Sequence, residues 1–278
     1  MLNLAGPVLA ATLALAGLPA FAQDTGTEKT DALFEALGLP QMLEVMRAEG
    51  LEYGDTIAQD MLPGGQSARW DALVSDIYDV DMMQEEVRAI FGEELEGDDL
   101  DAMLAFYTTE PGQTIINLEV SAREALLDDA VEEASKDSAA IAAMDETPRF
   151  QMIEAFVDAN DLIETNVVGA LNSNYAFYMG LIDGGAMPEG VTAELALQDV
   201  WAQEDEIRSD TAEWVYSFLL MAYQPLSDEE LQAYIAFSET EAGQDLNAAL
   251  FTAFNGMFDD ISRALGLGVS RFMISQEL

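Results

Sequence analysis

Fourteen residues occur twice in this chain, and the recurrence constrains its organisation more than any other feature. Leu100-Asp-Ala-Met-Leu-Ala-Phe-Tyr-Thr-Thr-Glu-Pro-Gly-Gln113 returns 131 residues later as Leu231-Gln-Ala-Tyr-Ile-Ala-Phe-Ser-Glu-Thr-Glu-Ala-Gly-Gln244, with eight of the fourteen positions identical and no gap. A match of that density reads as internal duplication. It predicts two related units, over residues 31–147 and 148–278, meeting near residues 145–150.

The units read as helical. Trp70, Leu73, Val74, Ile77 and Tyr78 recur at the spacing that lines one face of a helix. So do Met83, Val87, Ile90 and Phe91, and the longer series Leu246, Leu250, Phe254, Met257, Phe258, Ile261 and Leu265. No stretch alternates cleanly with β-branched residues, and Asp183-Gly184 and Asn255-Gly256 sit in helical or loop contexts rather than between strands. The predicted fold class is all-α: two tandem, divergent helical repeats forming one or two helix-bundle cores.

Breaks between helices are marked by turn formers. Pro40 reads as a helix start that Gly50 ends, and Pro63-Gly64-Gly65 as a turn. Ser227-Asp-Glu-Glu230 is a capping box opening the helix of the second motif; Gly97-Asp98-Asp99 opens its counterpart. A longer loop is expected over Asp183–Gly190. The motif itself reads as helix, sharp break, helix. Thr109 and Thr240 are suited to cap the second helix, with Glu110 and Glu241 in its first turn at the positive end of the dipole. Pro111 is tolerated in that turn. Gly112 and Gly243 let the preceding helix, with Phe106 or Phe237, come close, and Gln113 and Gln244 can hydrogen-bond back to the break.

A helix ending in Leu104-Ala-Phe-Tyr107, a Thr cap, then Gly112-Gln113 and a further amphipathic helix resembles the bacterial envelope family called domain of unknown function 2059, here in two tandem copies. The resemblance implies an exported, all-helical protein in a Gram-negative periplasm, of uncharacterised activity. Thr109-Glu110-Pro111 and Thr240-Glu241-Ala242 depart from the family's Ser-Pro, and Ser238 replaces its Tyr. Upstream, Met42-Leu-Glu-Val-Met46 echoes Met152-Ile-Glu-Ala-Phe156 at an offset of 110, which would place about 21 extra residues around Asn172 to Val191 of the second half.

Residues 1–22 read as an export signal. The apolar run Val8–Leu18 is too short to span a bilayer and leads into Pro19-Ala20-Phe21-Ala22, an A-x-A site predicting cleavage after Ala22 and a linker over 23–30. The n-region has no Lys or Arg. The longest later uncharged run, Thr165–Ile182, is interrupted by Asn166, Asn172, Ser173 and Asn174, so no membrane span is expected in the mature chain.

The net charge is −43, with only two lysines, Lys29 and Lys136. Such a chain repels phosphate backbones and anionic headgroups, so nucleic acid is excluded as a partner class. The acidity reads first as a solvated surface and second as an attraction for cations or a basic partner.

Missing residue types narrow the chemistry. Without His there is no Ser-His-Asp triad and no imidazole metal ligand. Without Cys there are no thiolate sites and no disulfides. No phosphate-binding or nucleophile-elbow motif occurs; Gly266-Leu-Gly268 lacks the rest of a dinucleotide pattern. Carboxylate chemistry, as in glycoside hydrolases, is the catalytic route left open.

Glu93, Glu94, Glu96, Asp98, Asp99 and Asp101 form an acidic loop able to collect a hard cation, although it lacks EF-hand spacing and reads first as solvated charge around a helix start. Met42 with Met46, and the Met82-Met83 pair, read as core before adaptable surface. Tyr175, Phe177 and Tyr178 read as a packed helix end before a groove, and Arg263 and Arg271 as inter-helix ion pairs before a ligand site. The expectation is therefore a non-enzymatic helical module, without a cofactor, that binds an unknown envelope protein or ligand. The alternatives are a carboxylate-dependent hydrolase acting on envelope glycans and a divalent-cation-binding acidic protein.

Overall fold

The computed structural model describes residues 20–62, 64–188 and 190–276, and the side chains of 26–274 apart from 63 and 189. The expected export signal thus lies largely outside the described residues, as does Pro63 of the expected turn. Every regular element among the described residues is an α-helix: α1 (Ala20–Ala36), α2 (Leu39–Met61), α3 (Ala68–Ile77), α4 (Val80–Glu94), α5 (Leu100–Tyr107), α6 (Gly112–Ala125), α7 (Asp129–Met144), α8 (Pro148–Ala159), α9 (Leu162–Gly184), α10 (Ala193–Trp201), α11 (Glu204–Tyr223), α12 (Asp228–Ser238) and α13 (Glu241–Gln276). None is long and apolar enough to cross a membrane. Residues 23–30, expected as a linker, belong to α1.

Local chemistry sets the boundaries. Ser67, Asp79, Asp99, Thr147 and Thr192 each accept a hydrogen bond from the backbone N–H three residues on. Each removes one donor that the first helical turn leaves unpaired. Ser227 and Glu230 form the reciprocal capping box. Two tight breaks use left-handed backbone: Gly38 (φ 62°) joins α1 to α2, and Asp161 (φ 48°) joins α8 to α9.

The helices that follow these two breaks make comparable contacts. α2 and α9 are each 23 residues long and start 123 positions apart, at Leu39 and Leu162. In the first half α1 packs on α5, and α2 on α3, α4 and α6; in the second, α8 packs on α12, and α9 on α10, α11 and α13. α7 stands between the two sets of six. The echo between Met42 and Met152 is therefore misplaced: Met42 lies in α2, Met152 in α8, and α9 takes the place of α2. The expected surplus around Asn172–Val191 falls with it, because extra length in the second half appears where α11 has 20 residues against 15 in α4.

Gly50 does not end a helix. It lies within α2 facing the Tyr78 ring, which a Cβ would overlap. Gly180 and Gly266 let α9 and α13 meet backbone to backbone: a Cβ at Gly180 would fall within 2.8 Å of the Leu267 nitrogen. Gly266, noted above only as the start of an incomplete nucleotide pattern, is thus a packing residue.

One buried apolar cluster draws on both halves, from Leu33 and Phe34 through Trp70, Phe91 and Ile115 to Tyr223, Met257 and Val269. A small satellite of Val167, Leu171 and Val200 lies apart, with Tyr175 and Tyr178 against it; Phe177 packs on the main cluster. Arg263 pairs with Asp183. Met83 is buried and Met82 exposed.

Candidate functional site

The two copies of the recurring motif touch each other. Phe106 and Phe237 stack face to face, ring centroids 4.2 Å apart and planes 12° from parallel. In each copy the glycine seats the second helix against the end of the first. A Cβ on Gly112 would fall within 2.9 Å of the Tyr107 Cα, and one on Gly243 within 2.8 Å of the Ser238 Cα. The glutamines make matching clamps. Gln113 Nε2 donates to the Tyr107 carbonyl and to that of Ala36 at 3.1 Å; Gln244 Nε2 donates to Ser238 at 2.6 Å and Ala159 at 2.9 Å. Each glutamine thereby ties three helices together: α1, α5 and α6, or α8, α12 and α13.

The capping threonines differ. Thr240 accepts from the Gly243 N–H at 3.1 Å, as a cap should. Thr109 does not cap. Its hydroxyl donates back to the Ala105 carbonyl at 2.7 Å, and α6 begins beyond Pro111, which offers no side-chain cap. The Thr109 hydroxyl is held by the last turn of α5, and Pro111 carries the chain two residues further before α6 starts.

Beside the stacked phenylalanines lies a cavity of about 600 Å³, walled by both halves. That size suits a small ligand, and most of its wall is aliphatic or aromatic. Met42 and Met46, expected in the core, face it. Among the described residues lining it, Glu119 is the only acid and Arg123 the only base.

Glu119 reaches the cavity because α6 turns its buried stripe inward: Ile115, Ile116 and Ala122 lie on the same face and are buried. Tyr223 donates to Glu119 Oε1 at 2.6 Å, and Tyr234 to the same oxygen at 3.2 Å. Tyr107 and Tyr223 both lie edge-on to Tyr234, at 6.5 and 5.8 Å. The Glu119 side chain is half-buried, packed into the wall with the rest of its surface open to the cavity. Burial raises its pKa from 4.5 to about 7, against the opposing effect of the two tyrosine hydrogen bonds. Burial, and the carboxyl nearby, hold the Tyr107, Tyr223 and Tyr234 hydroxyls protonated well above neutrality, so they remain donors.

Arg123, one turn further along α6, is not the partner of Glu119. Its Nε and Nη2 grip the two carboxylate oxygens of Glu49, each at 2.7 Å, and its guanidinium lies 4.9 Å from the Trp214 ring centroid.

The acidic loop is not assembled into a site. Glu93 and Glu94 lie exposed in the last turn of α4, Glu96 is exposed in the following turn, and Asp98 precedes the helix. Asp99 caps α5, and Asp101 pairs with Lys29 at 2.7 Å. Among the described residues no three acidic side chains are gathered to hold a metal ion.

The sequence reading passed over Glu119, Tyr223 and Tyr234. A signal was available: Glu119 interrupts the apolar stripe of α6, one turn beyond Ile115 and Ile116. The tyrosines carried no such mark, because their positions on α11 and α12 look like ordinary core.

Residues 81–140 match a family described as an uncharacterized protein conserved in bacteria, DUF2059. The match runs from α4 into α7 and takes in the first motif, Tyr107 and Glu119. The second motif lies outside it. No curated protein and no solved structure matches the chain.

Proposed function

We propose that the chain is a non-enzymatic, exported binding module, built from a duplicated six-helix unit, that holds a small apolar molecule between its halves. The observation carrying this reading is the cavity beside the stacked motif copies. It is large and mostly apolar, and among the described residues one carboxyl, that of Glu119, lies on its wall. Paired contacts support the duplication. Residues at the same place in the two motifs stack on each other, and the two glutamines make the same pair of hydrogen bonds. A hydrolase of the glycosidase type needs two carboxyls flanking its substrate, and this wall supplies one.

Titration with N-phenyl-1-naphthylamine, a neutral apolar dye that brightens out of water, tests the reading. Saturable binding near one dye per chain is expected. Leu250→Trp, which fills the cavity from α13, should abolish it while leaving the helical circular dichroism unchanged. Absence of saturable dye binding to the wild-type protein would overturn the proposal.

A further inference from the structure

We infer that the natural occupant of this cavity is an amphiphile whose head is a single ammonium cation, seated between Glu119 and the surrounding tyrosines, with its tail lying along α9 and α13. The inference rests on the cavity being a ligand site and adds the chemical class of the ligand.

The first support is a polarity that duplication alone would not produce. At the spacing of the two motifs, Glu119 corresponds to Leu250, Arg123 to Phe254 and Tyr107 to Ser238, and all six residues line the cavity. The charged groups of the wall therefore lie on α6, with the phenols of α5, α11 and α12 around the carboxyl, whereas α9 and α13 present mostly carbon with the uncharged Asn166, Ser173, Asn247 and Asn255. Three of these are committed elsewhere: Asn166 Nδ2 donates to the Leu162 carbonyl at 2.7 Å, the Ser173 hydroxyl to Asp259 at 3.0 Å, and Asn247 Nδ2 to the Asn160 carbonyl at 3.0 Å. A molecule with one polar end matches such a cavity; a uniformly apolar one leaves the polar end unpaired.

The second support is the sign of the missing charge. Both tyrosine hydroxyls donate to Oε1, and among the described residues Oε2 receives no hydrogen bond. The nearest base, Arg123, is engaged in two hydrogen bonds with Glu49. A half-buried carboxylate on a mostly apolar wall has no cationic partner from the protein, and a ligand cation would supply one. Tyr107, Tyr223, Tyr234 and Phe156 surround the site, and aromatic rings attract ammonium groups through their negative faces. The net charge of −43 acts in the same direction, since it concentrates cationic amphiphiles around the protein and repels fatty-acid anions.

The test displaces bound N-phenyl-1-naphthylamine from the full chain with three ten-carbon probes, decylammonium, decanol and decanoate. Conditions are about 0.15 M salt, where surface attraction is screened beyond roughly 8 Å, and a pH above the Glu119 titration. Decylammonium should bind about tenfold or more tighter than decanol, the ratio expected for a hydrogen bond to a charged group. Decanoate should be weakest. Glu119→Gln, which retains an acceptor for Tyr223 and Tyr234, should bring decylammonium to within about twofold of decanol. Leu250→Trp should weaken all three probes.

The order of the three heads on the wild-type protein needs no variant. Decanoate binding as tightly as decylammonium overturns the inference, as does an ammonium preference that survives Glu119→Gln or probe binding that survives Leu250→Trp. If the dye binds but no amphiphile displaces it, the head assignment fails and the cavity reading stands. If the dye itself does not bind, both fail.

Discussion

Replacing Glu119 by Gln should make the ligand-free protein more stable at neutral and alkaline pH, although it removes a hydrogen-bonded residue from the interior. The reason is linkage. A carboxyl whose pKa rises on folding binds its proton more tightly in the folded state, so folding is favoured while the proton is present. That contribution is complete below the unfolded value of 4.5, declines as the pH rises towards the folded value of about 7, and is absent above it. At about 1.4 kcal/mol per unit, the separation corresponds to about 3 kcal/mol of stability lost by the wild-type protein across that window. Gln does not titrate, and its carbonyl still accepts from Tyr223 and Tyr234. The Tyr107, Tyr223 and Tyr234 hydroxyls stay protonated across the window, so they remain donors to either side chain. The measurement is urea unfolding of both proteins from about pH 5 to about pH 9 at constant ionic strength, reading the difference between them so that carboxylates common to both cancel. The difference should grow in favour of the variant by about 2–3 kcal/mol between about pH 5 and about pH 8, then level off. A difference independent of pH, or a variant less stable at about pH 8, would refute the argument that partial burial raises this carboxyl's affinity for its proton.

Two other outcomes are open to direct measurement. Gly112→Ala and Gly243→Ala should each cost about 1–3 kcal/mol, because the new methyl meets backbone that cannot rotate aside. Gly26→Ala, in α1 with nothing within 4 Å of the new methyl, should be neutral or stabilising by up to about 1 kcal/mol; equal losses at all three positions in thermal melts would remove close packing as the cause. N-terminal sequencing of protein from the envelope fraction should begin at Gln23, and intact chain starting at Met1 in the cytosol would refute export.

The helical fold was legible because its signals are local. Apolar spacing at Trp70–Tyr78 and along Leu246–Leu265, and caps such as Asp99 and Ser227, depend on residues within a turn or two of one another. The errors arose where distant packing decided the outcome. Gly50 reads as a helix end by composition, but Tyr78, just past the end of α3, occupies the space its missing Cβ leaves, and the helix continues. Thr109 and Thr240 stand at the same place in the motif, yet Pro111 in one copy and Ala242 in the other place the helix start differently. The echo of Met42 in Met152 matched residue types without the left-handed breaks at Gly38 and Asp161, which mark how the halves correspond.

The candidate site was hidden for a different reason. In the motif, what recurs is the frame: Phe106 with Phe237, Gly112 with Gly243, Gln113 with Gln244. A sequence comparison finds these because they are the same. The chemistry of the cavity lies where the copies differ, as at Glu119 against Leu250 and Tyr107 against Ser238. Recurrence therefore marked where the two segments meet and passed over the residues that give the cavity a polar end. Those residues become visible only when helices distant in sequence close around one carboxyl, α6 supplying Glu119 while α11 and α12 supply the hydroxyls that hold it. Each half alone provides one side of the cavity wall. On the proposed reading, a duplicated frame with unlike residues facing across it holds an asymmetric molecule in one orientation, where two identical copies would hold it equally well in either.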